Sequence, residues 1–250
     1  MTVLLVILAS MLAVFCLYRT EDGVKPVLRA PVEAHTDPPP PTEPPTDPPT
    51  EPPTEPPTEP PTEPPTQALP QEPITVKPIS SLADLASVQV PDYVSVQIID
   101  VDGQARRGTK LNAINNIVLH YVGNPGSTAQ QNRDWYNEVN CNVSSHFVVG
   151  LQGEMIQCIP LDEKSSASND RNGDTISIEI CHPDESGKFN EATYNSVVEL
   201  SAWLVKACGL KVEDVIRHYE VTGKECPMYY VKHEDAWWQL RADIAARVAQ

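Results

Sequence analysis

The stretch Arg217–Pro227 reads RHYEVTGKECP and places an imidazole, a primary amine and a thiol close together, at His218, Lys224 and Cys226. Histidine nitrogen and cysteine thiolate are both zinc ligands, and a catalytic zinc site needs three protein ligands and one open position. Gly223 gives the backbone the freedom to curl between His218 and Cys226, so that both can face one point. The stretch therefore supplies two ligands of a candidate zinc site, and the third must come from elsewhere.

His120 is the candidate for the third ligand. It lies near the end of the apolar run NIVLHY, which predicts a buried strand, and a loop containing GNPG follows it. Site residues are common where a strand runs out into a loop. Spacing alone leaves alternatives open: His120 could be an ordinary hydrogen-bonding residue, and Cys226 could pair with Cys141 in a disulfide or serve as the nucleophile of a Cys–His peptidase.

The surrounding patterns predict the elements that position these residues. Alternating or continuous apolar runs rich in β-branched residues predict strands, and apolar residues at helical spacing predict helices. The predicted strands are Tyr93–Asp100, Asn116–Tyr121 and Asp174–Cys181, with a hairpin formed by Ser145–Gly150 and Gly153–Ile159. The predicted helices are Thr128–Glu138, Thr193–Lys206 and His233–Val248, with Trp203, Trp237 and Trp238 assigned to the core. Interleaved strands and helices predict an α/β fold with a central mixed β-sheet flanked by helices.

Two segments precede this predicted domain, which covers residues 77–250. Residues 2–18 contain no charged side chain, which predicts a transmembrane anchor or uncleaved signal over residues 1–20. Residues 35–66 are almost wholly Pro, Thr, Glu and Asp in TEPP and TDPP repeats, with nothing aromatic or aliphatic to bury, which predicts a disordered, extended stalk over residues 21–76. A stalk of this kind serves as a spacer, so we expect the domain to lie outside the cell membrane, or to be secreted if the N-terminus is cleaved.

The charge distribution narrows the choice of partners. The formal net charge of −16 is divided evenly, with −8 on residues 1–76 and −8 on residues 77–250. Nucleic-acid binding requires clustered cations that neutralise phosphates. The sequence has no stripe rich in Lys and Arg, so we expect no nucleic-acid partner.

Five segments resemble, in order, those of zinc-dependent N-acetylmuramoyl-L-alanine amidases, the family that also includes the peptidoglycan recognition proteins. The resemblance runs from about Val90 to about Trp238 and does not extend to the predicted anchor or stalk. The segments are NNIVLHYVGNPGSTAQQNRDWY, SSHFVVGLQGEMIQCIPL, SNDRNGDTISIEICHPD, GKFNEATYNSVVELSAWL and IRHYEVTGKECP.

The resemblance implies a role for each matching residue. The zinc ligands match His120, His218 and Cys226, where the third ligand is Cys in some branches of the family and Asp in others. Glu179 matches a catalytic acid, and Lys224 matches a lysine two positions before the last ligand. Some branches carry Tyr before the HF pair; this chain has Ser145 there, so a tyrosine role does not transfer and Glu179 carries more of the proton chemistry.

The resemblance also implies Zn²⁺ as cofactor and peptidoglycan as partner, with cleavage of the amide between the lactyl group of N-acetylmuramic acid and L-alanine. A non-catalytic peptidoglycan-binding module of the same fold is the alternative. The remaining polar candidates are His146 and His182, expected to be structural or substrate-lining, and Asn169, Arg171 and Asn172, expected in the groove for the stem peptide or in an ordinary polar loop.

Overall fold

The computed structural model describes Ile74, residues 81–101 and residues 104–250. The predicted anchor and most of the predicted stalk lie outside these residues and stay predictions. No helix within the described part of the chain combines the length and the hydrophobicity that crossing a bilayer requires.

The described residues form a mixed sheet and five α-helices. The strands are β1 (Val94–Val96), β2 (Asn116–Leu119), β3 (Phe147–Val149), β4 (Met155–Gln157), β5 (Thr175–Ile180) and β6 (Val215–Arg217). The helices are α1 (Ala129–Tyr136), α2 (Glu191–Cys208), α3 (His218–Thr222), α4 (Met228–Lys232) and α5 (Glu234–Val248).

The six strands have the order β1-β4-β3-β5-β2-β6. Only β3 and β4 pair antiparallel, which confirms the predicted hairpin, and the other neighbouring strands are parallel. Parallel strands need crossover connections, which the helices supply. The expected α/β class with a central mixed sheet is therefore confirmed for the described residues.

One face of the sheet packs on α2 and α5 in the larger hydrophobic core, which includes Leu119, Ile178 and Leu200. Side chains alternate between faces along a strand. His120 and Glu179, one position beyond Leu119 and Ile178, therefore belong to the opposite face. The smaller apolar cluster on that face includes residues of α1 and Val148, so His120 and Glu179 emerge on the less covered side of the sheet.

The predicted helices are present with adjusted ends. The second begins at Glu191 rather than Thr193, because the side-chain oxygen of Asn190 accepts a hydrogen bond from the Thr193 N–H and caps the first turn. Trp203 and Trp237 are buried as predicted. The core assignment of Trp238 is wrong: its side chain is 57% exposed and lies under the Arg241 guanidinium.

Candidate active site

Three buried side chains, His120, His218 and Cys226, meet at one point. One potential ligand atom from each lies within 4.8 Å of the other two. The His120 Nδ1 atom is 3.9 Å from the Cys226 Sγ atom, and the two imidazole ring centres are 4.5 Å apart. The structure thus brings together all three residues that the sequence predicts as ligands, from positions up to 106 residues apart.

Strand register explains why the two histidines are neighbours. β2 and β6 pair in parallel with Leu119 opposite Arg217, so the following residues, His120 and His218, leave the sheet side by side. His218 begins α3. The loop after α3 folds back, and the Tyr219 N–H donates to the Cys226 carbonyl at 3.0 Å. This hydrogen bond keeps the thiol beside the imidazoles.

The donor set and spacing fit a zinc ion. In a tetrahedral site with Zn–N near 2.05 Å and Zn–S near 2.3 Å, the nitrogen and sulfur ligands are roughly 3.6 Å apart. The observed 3.9 Å between His120 Nδ1 and Cys226 Sγ needs only a small adjustment. Three protein ligands also leave the fourth tetrahedral position open, which is the pattern of catalytic rather than structural zinc sites.

The protonation of the three groups suits a metal site. Burial, with smaller contributions from His218 and Lys224, holds the His120 pKa well below its ordinary value. Burial and then Lys224 lower the His218 pKa, so both imidazoles are neutral and keep a lone pair. Burial raises the pKa of the Cys226 thiol to about 12. The thiol therefore keeps its proton in the metal-free protein and must lose that proton when the sulfur binds a metal ion.

Glu179 lies in β5 beside the end of β2. Leu119 is paired with Ile178, which sets Glu179 next to His120 on the same face of the sheet. Its Oε2 atom is buried and has no hydrogen-bond partner among the described residues. Burial raises the pKa of this carboxyl to about 8, against a smaller lowering by Lys224. A buried, unpartnered carboxyl that titrates near neutrality is typical of a catalytic acid or base.

Lys224 is exposed and stands at the mouth of the site. Together with His218 it lines a cleft with a volume of about 620 Å³. Its charge contributes to lowering the pKa of His218 and of Glu179, so it is close enough to act on a charge that develops between them.

Comparison with known proteins agrees with this geometry. Residues 110–229 match the family model described as N-acetylmuramoyl-L-alanine amidase. The matched domain belongs to this amidase family. The matched range contains all five candidate ligands and catalytic groups, His120, Glu179, His218, Lys224 and Cys226.

Similar proteins include curated amidases and a solved catalytic domain. The chain is 31% identical to N-acetylmuramoyl-L-alanine amidase CwlL of Bacillus licheniformis, over 58% of this chain and 45% of that protein. It is 27% identical to N-acetylmuramoyl-L-alanine amidase BlyA of Bacillus subtilis, over 60% of this chain and 46% of that protein. The catalytic domain of XlyA superposes with a TM-score of 0.53 at 25% identity, covering 60% of this chain and 98% of that domain. The chain thus spans about half the length of these curated relatives.

The other histidines of the amidase domain have different surroundings. The His146 Nδ1 accepts from the Ser177 N–H at 3.0 Å and its Nε2 donates to the Glu163 carbonyl at 2.9 Å. His146 therefore has a structural role, one of the two that the sequence left open. The His182 Nδ1 donates to the Asp184 carbonyl at 2.7 Å. Neither belongs to the ligand cluster. Ser145, at the position where some branches carry Tyr, is buried and bonds the Ser177 hydroxyl at 3.1 Å.

One loop of the amidase domain supports both histidine ligands. The Ser168 hydroxyl lies 3.3 Å from His120 Nε2, and the Asn169 side-chain oxygen lies 2.8 Å from His218 Nε2. With Nε2–H donating in each ring, the Nδ1 atom keeps the lone pair for a metal. The Asn172 side chain fixes the loop by accepting from the Ser168 N–H. The sequence left open whether Asn169 and Asn172 lie in the groove for the stem peptide or in an ordinary polar loop, and their support of the two histidines was not predicted.

We expect Asn169→Gly to weaken zinc binding by about 10- to 100-fold, because outer hydrogen bonds to ligand histidines have effects of this size. Asn169 has φ +52°, in the left-handed region, and glycine adopts this conformation without strain. The variant therefore removes the amide and keeps the backbone. Competition with a chromophoric chelator measures the affinity.

Asp170→Gly is the matched control for Asn169→Gly. Asp170 is exposed in the same turn and its replacement introduces the same backbone freedom without removing a hydrogen bond to His218. Equal zinc affinities in the two variants would contradict the supporting role of Asn169.

Proposed function

We propose that this protein is a peptidoglycan hydrolase that cleaves the amide bond between the lactyl group of N-acetylmuramic acid and L-alanine of the stem peptide. The observation that carries the proposal is the convergence of His120, His218 and Cys226 beside the buried carboxyl of Glu179. The names of the relatives, all N-acetylmuramoyl-L-alanine amidases, support the same substrate bond.

In this proposal His120, His218 and Cys226 hold one zinc ion. When bound, zinc supplies Lewis acidity, which polarises a carbonyl group and makes water more acidic. The Nε2 hydrogen bonds to Ser168 and Asn169 orient the two imidazoles toward the ion. Loss of the Cys226 proton on binding places a negative ligand on the ion, so the uptake of zinc releases a proton.

Glu179 and Lys224 carry out the proton transfer and charge stabilisation. Glu179 as carboxylate accepts a proton from the attacking water, whose oxygen forms a bond to the amide carbon. When the carbon–nitrogen bond breaks, Glu179 returns that proton to the leaving amine of L-alanine. Lys224 donates a hydrogen bond to the carbonyl oxygen as negative charge develops there, a contribution of roughly 3 kcal/mol for one well-placed donor.

The alternative chemistry of a Cys–His peptidase has less support. Such an enzyme needs a reactive thiolate, which requires a lowered cysteine pKa. Burial instead raises the Cys226 pKa to about 12. Cys226 carries a free thiol, so the disulfide with Cys141 that the sequence left open is not formed.

The proposal includes a location. The uncharged run at residues 2–18 and the Pro-rich repeats of residues 21–76 support a single-pass membrane protein whose domain at residues 77–250 faces the cell wall, or a secreted form if the N-terminus is cleaved. Peptidoglycan lies on that side of the membrane.

Incubation of the zinc-loaded protein with purified cell walls tests the proposed reaction. We expect new L-alanine amino termini without new reducing sugars, loss of this activity in chelator, and its recovery when zinc is restored. Reducing sugars as the main product would identify a glycosidase. Wall binding without any product would favour the non-catalytic binding module, and an unchanged rate in chelator would contradict the zinc mechanism.

A further inference from the structure

Arg217, the residue before His218, is a buried cation. It is the last residue of β6 and is 5% exposed. It is paired with Leu119, whose side chain lies in the larger hydrophobic core. Because side chains alternate between faces along a strand, the Arg217 side chain and the His218 imidazole leave the backbone on opposite sides. A buried charge is costly unless it is paired, so the partners of Arg217 matter to the fold.

The Arg217 guanidinium contacts both helices that border the loop of residues 223–227, which carries Cys226. On the α3 side, its Nε atom donates to Glu220 Oε1 at 2.9 Å, and the Arg217 backbone N–H donates to Glu220 Oε2 at 2.7 Å. On the α4 side, its Nη1 atom donates to the Tyr230 carbonyl at 2.7 Å. One side chain therefore connects the two helices that flank the Cys226 loop.

Helix α5 fixes the guanidinium itself. The Arg217 Nη1 atom also donates to Glu234 Oε1 at 2.9 Å, and the guanidinium carbon lies 5.0 Å from the ring centre of Trp237. Trp237 is buried in the core, and a cation over an aromatic face is attracted to it. The position of the guanidinium is thus set by a helix of 15 residues that contributes no metal ligand.

Helices α3 and α4 depend on such contacts because each has only five residues. Helices this short are not stable by themselves in water, so tertiary contacts determine where they lie. His218 is the first residue of α3, and Cys226 lies in the loop between the two helices. A movement of α3 relative to α4 would therefore change the distance between these two ligands.

We propose that Arg217 is a positioning residue for the metal site: from the opposite face of the sheet it keeps α3 and α4 at the separation that lets His218 and Cys226 share one ion. The inference rests on the proposed function, in which these two residues are zinc ligands. Arg217 acts on them through the Glu220 carboxylate and the Tyr230 carbonyl. A lysine would keep the charge, but its single ammonium lacks the planar fork that reaches partners in different directions.

Arg217→Lys tests this role through metal binding. We expect zinc affinity to fall about 10-fold, the lower end of the range for contacts that orient metal ligands, as measured by competition with a chromophoric chelator. Loading with Co²⁺ gives a second readout, because the thiolate-to-cobalt charge-transfer absorption reports on the bond to Cys226. We expect this absorption per bound ion to decrease. A residue that only stabilises the fold would change the free energy of unfolding without changing this absorption.

Arg241→Lys is the matched control for Arg217→Lys. Arg241 also lies over the Trp237 ring, at 5.9 Å, but it donates to the Val212 carbonyl, in the turn before β6, at 3.3 Å. This variant should bind Zn²⁺ and Co²⁺ as the wild type does. Equal losses in the two variants would overturn the positioning role, and so would wild-type zinc affinity with a wild-type cobalt spectrum in Arg217→Lys.

Glu220→Gln decides the question if Arg217→Lys does not fold. The Glu220 side chain is 35% exposed, so its replacement leaves less unpaired charge in the protein interior. We expect this variant to bind zinc roughly threefold more weakly, the size expected for a partly exposed ion pair. A folded Glu220→Gln protein with the zinc affinity of the wild type would overturn the role of Arg217.

Zinc affinity separates this inference from the proposed reaction, because it is measured without substrate. If the zinc-loaded wild type releases no L-alanine amino termini but Arg217→Lys binds zinc more weakly than Arg241→Lys, the proposed reaction is wrong and the positioning role stands. If the wild type cleaves cell walls and Arg217→Lys binds zinc as tightly as the wild type, the positioning role is wrong and the reaction stands.

Discussion

Glu179→Gln is expected to lower kcat by about 10³-fold, within the range of 10² to 10⁴ for the loss of a general acid–base group. Glutamine has nearly the same shape as glutamate but neither accepts the proton of the attacking water nor returns it to the leaving amine. Because Glu179 is not one of the three clustered ligands, the variant should still bind one zinc ion. Amide cleavage with a soluble muropeptide and zinc content by atomic absorption measure the two properties.

The same variant has a second readout that reports on the buried carboxyl itself. The Glu179 pKa is raised from 4.5 to about 8, chiefly by burial, so the folded metal-free protein holds a proton that the unfolded chain releases. Its free energy of unfolding therefore falls as the pH rises between these values. Glu179 is partly exposed as a residue, so solvent weakens the effect. We expect its carboxyl to lower the free energy of unfolding by on the order of 2 kcal/mol over this pH range, less than the full pKa shift implies. In Glu179→Gln this contribution should be absent, as denaturant unfolding in chelator would measure.

Glu213→Gln makes the same substitution at an exposed position. It is the control for both measurements on Glu179→Gln and should behave as wild type. A kcat within tenfold of wild type, or loss of zinc together with activity, would contradict the assignment of Glu179 as the proton-transfer group.

Cys226→Ala is expected to weaken zinc binding by at least about 10²-fold. Structural zinc sites with four ligands bind with roughly 10–16 kcal/mol, so one ligand accounts for about 3 kcal/mol. Wall hydrolysis at limiting zinc should fall in parallel. Equilibrium dialysis against buffered zinc measures the affinity, and L-alanine release measures the activity.

Cys226→Asp is the informative companion to Cys226→Ala, because a carboxylate can also bind zinc. We expect it to keep more zinc affinity and more hydrolysis than Cys226→Ala. Both variants remove the thiol, so a nucleophilic cysteine would predict equal and complete loss in the two. That result would support the Cys–His peptidase in place of the zinc mechanism.

The ligand set could be predicted from the sequence because each ligand has a local signal. His120 follows an apolar run that is long enough to identify a buried strand, and His218 and Cys226 occur in one short motif. The elements that join them were harder to predict. Strand β6 has three residues, Val215–Arg217, too few for a period to be recognised. Its pairing with β2 is nevertheless what brings His218 beside His120.

Contacts between distant side chains left no pattern in the sequence. Asn169 forms a hydrogen bond with His218, 49 positions away, and Ser168 forms one with His120, 48 positions away. Contacts over such separations produce no repeating pattern that could be recognised in the sequence. The strand predicted at Tyr93–Asp100 ends at Val96 in the structure. Beyond it the Arg133 guanidinium of α1 donates hydrogen bonds to the Gln97 and Ile98 carbonyls. The Gln97 and Ile99 N–H groups still donate to the Gln157 and Cys158 carbonyls, so the chain stays beside the end of β4 although the regular strand has ended.

The wide separation of the ligands along the chain has a thermodynamic consequence. His120 and Cys226 are 106 positions apart, so an unfolded chain does not present them together and an ion binds almost only to the native state. Mass action then adds about 2.7 kcal/mol to the free energy of unfolding when free zinc is at 100 times its dissociation constant. Under the proposed zinc mechanism, zinc starvation would therefore make the protein easier for proteases to cleave at the same time as it stops amide hydrolysis.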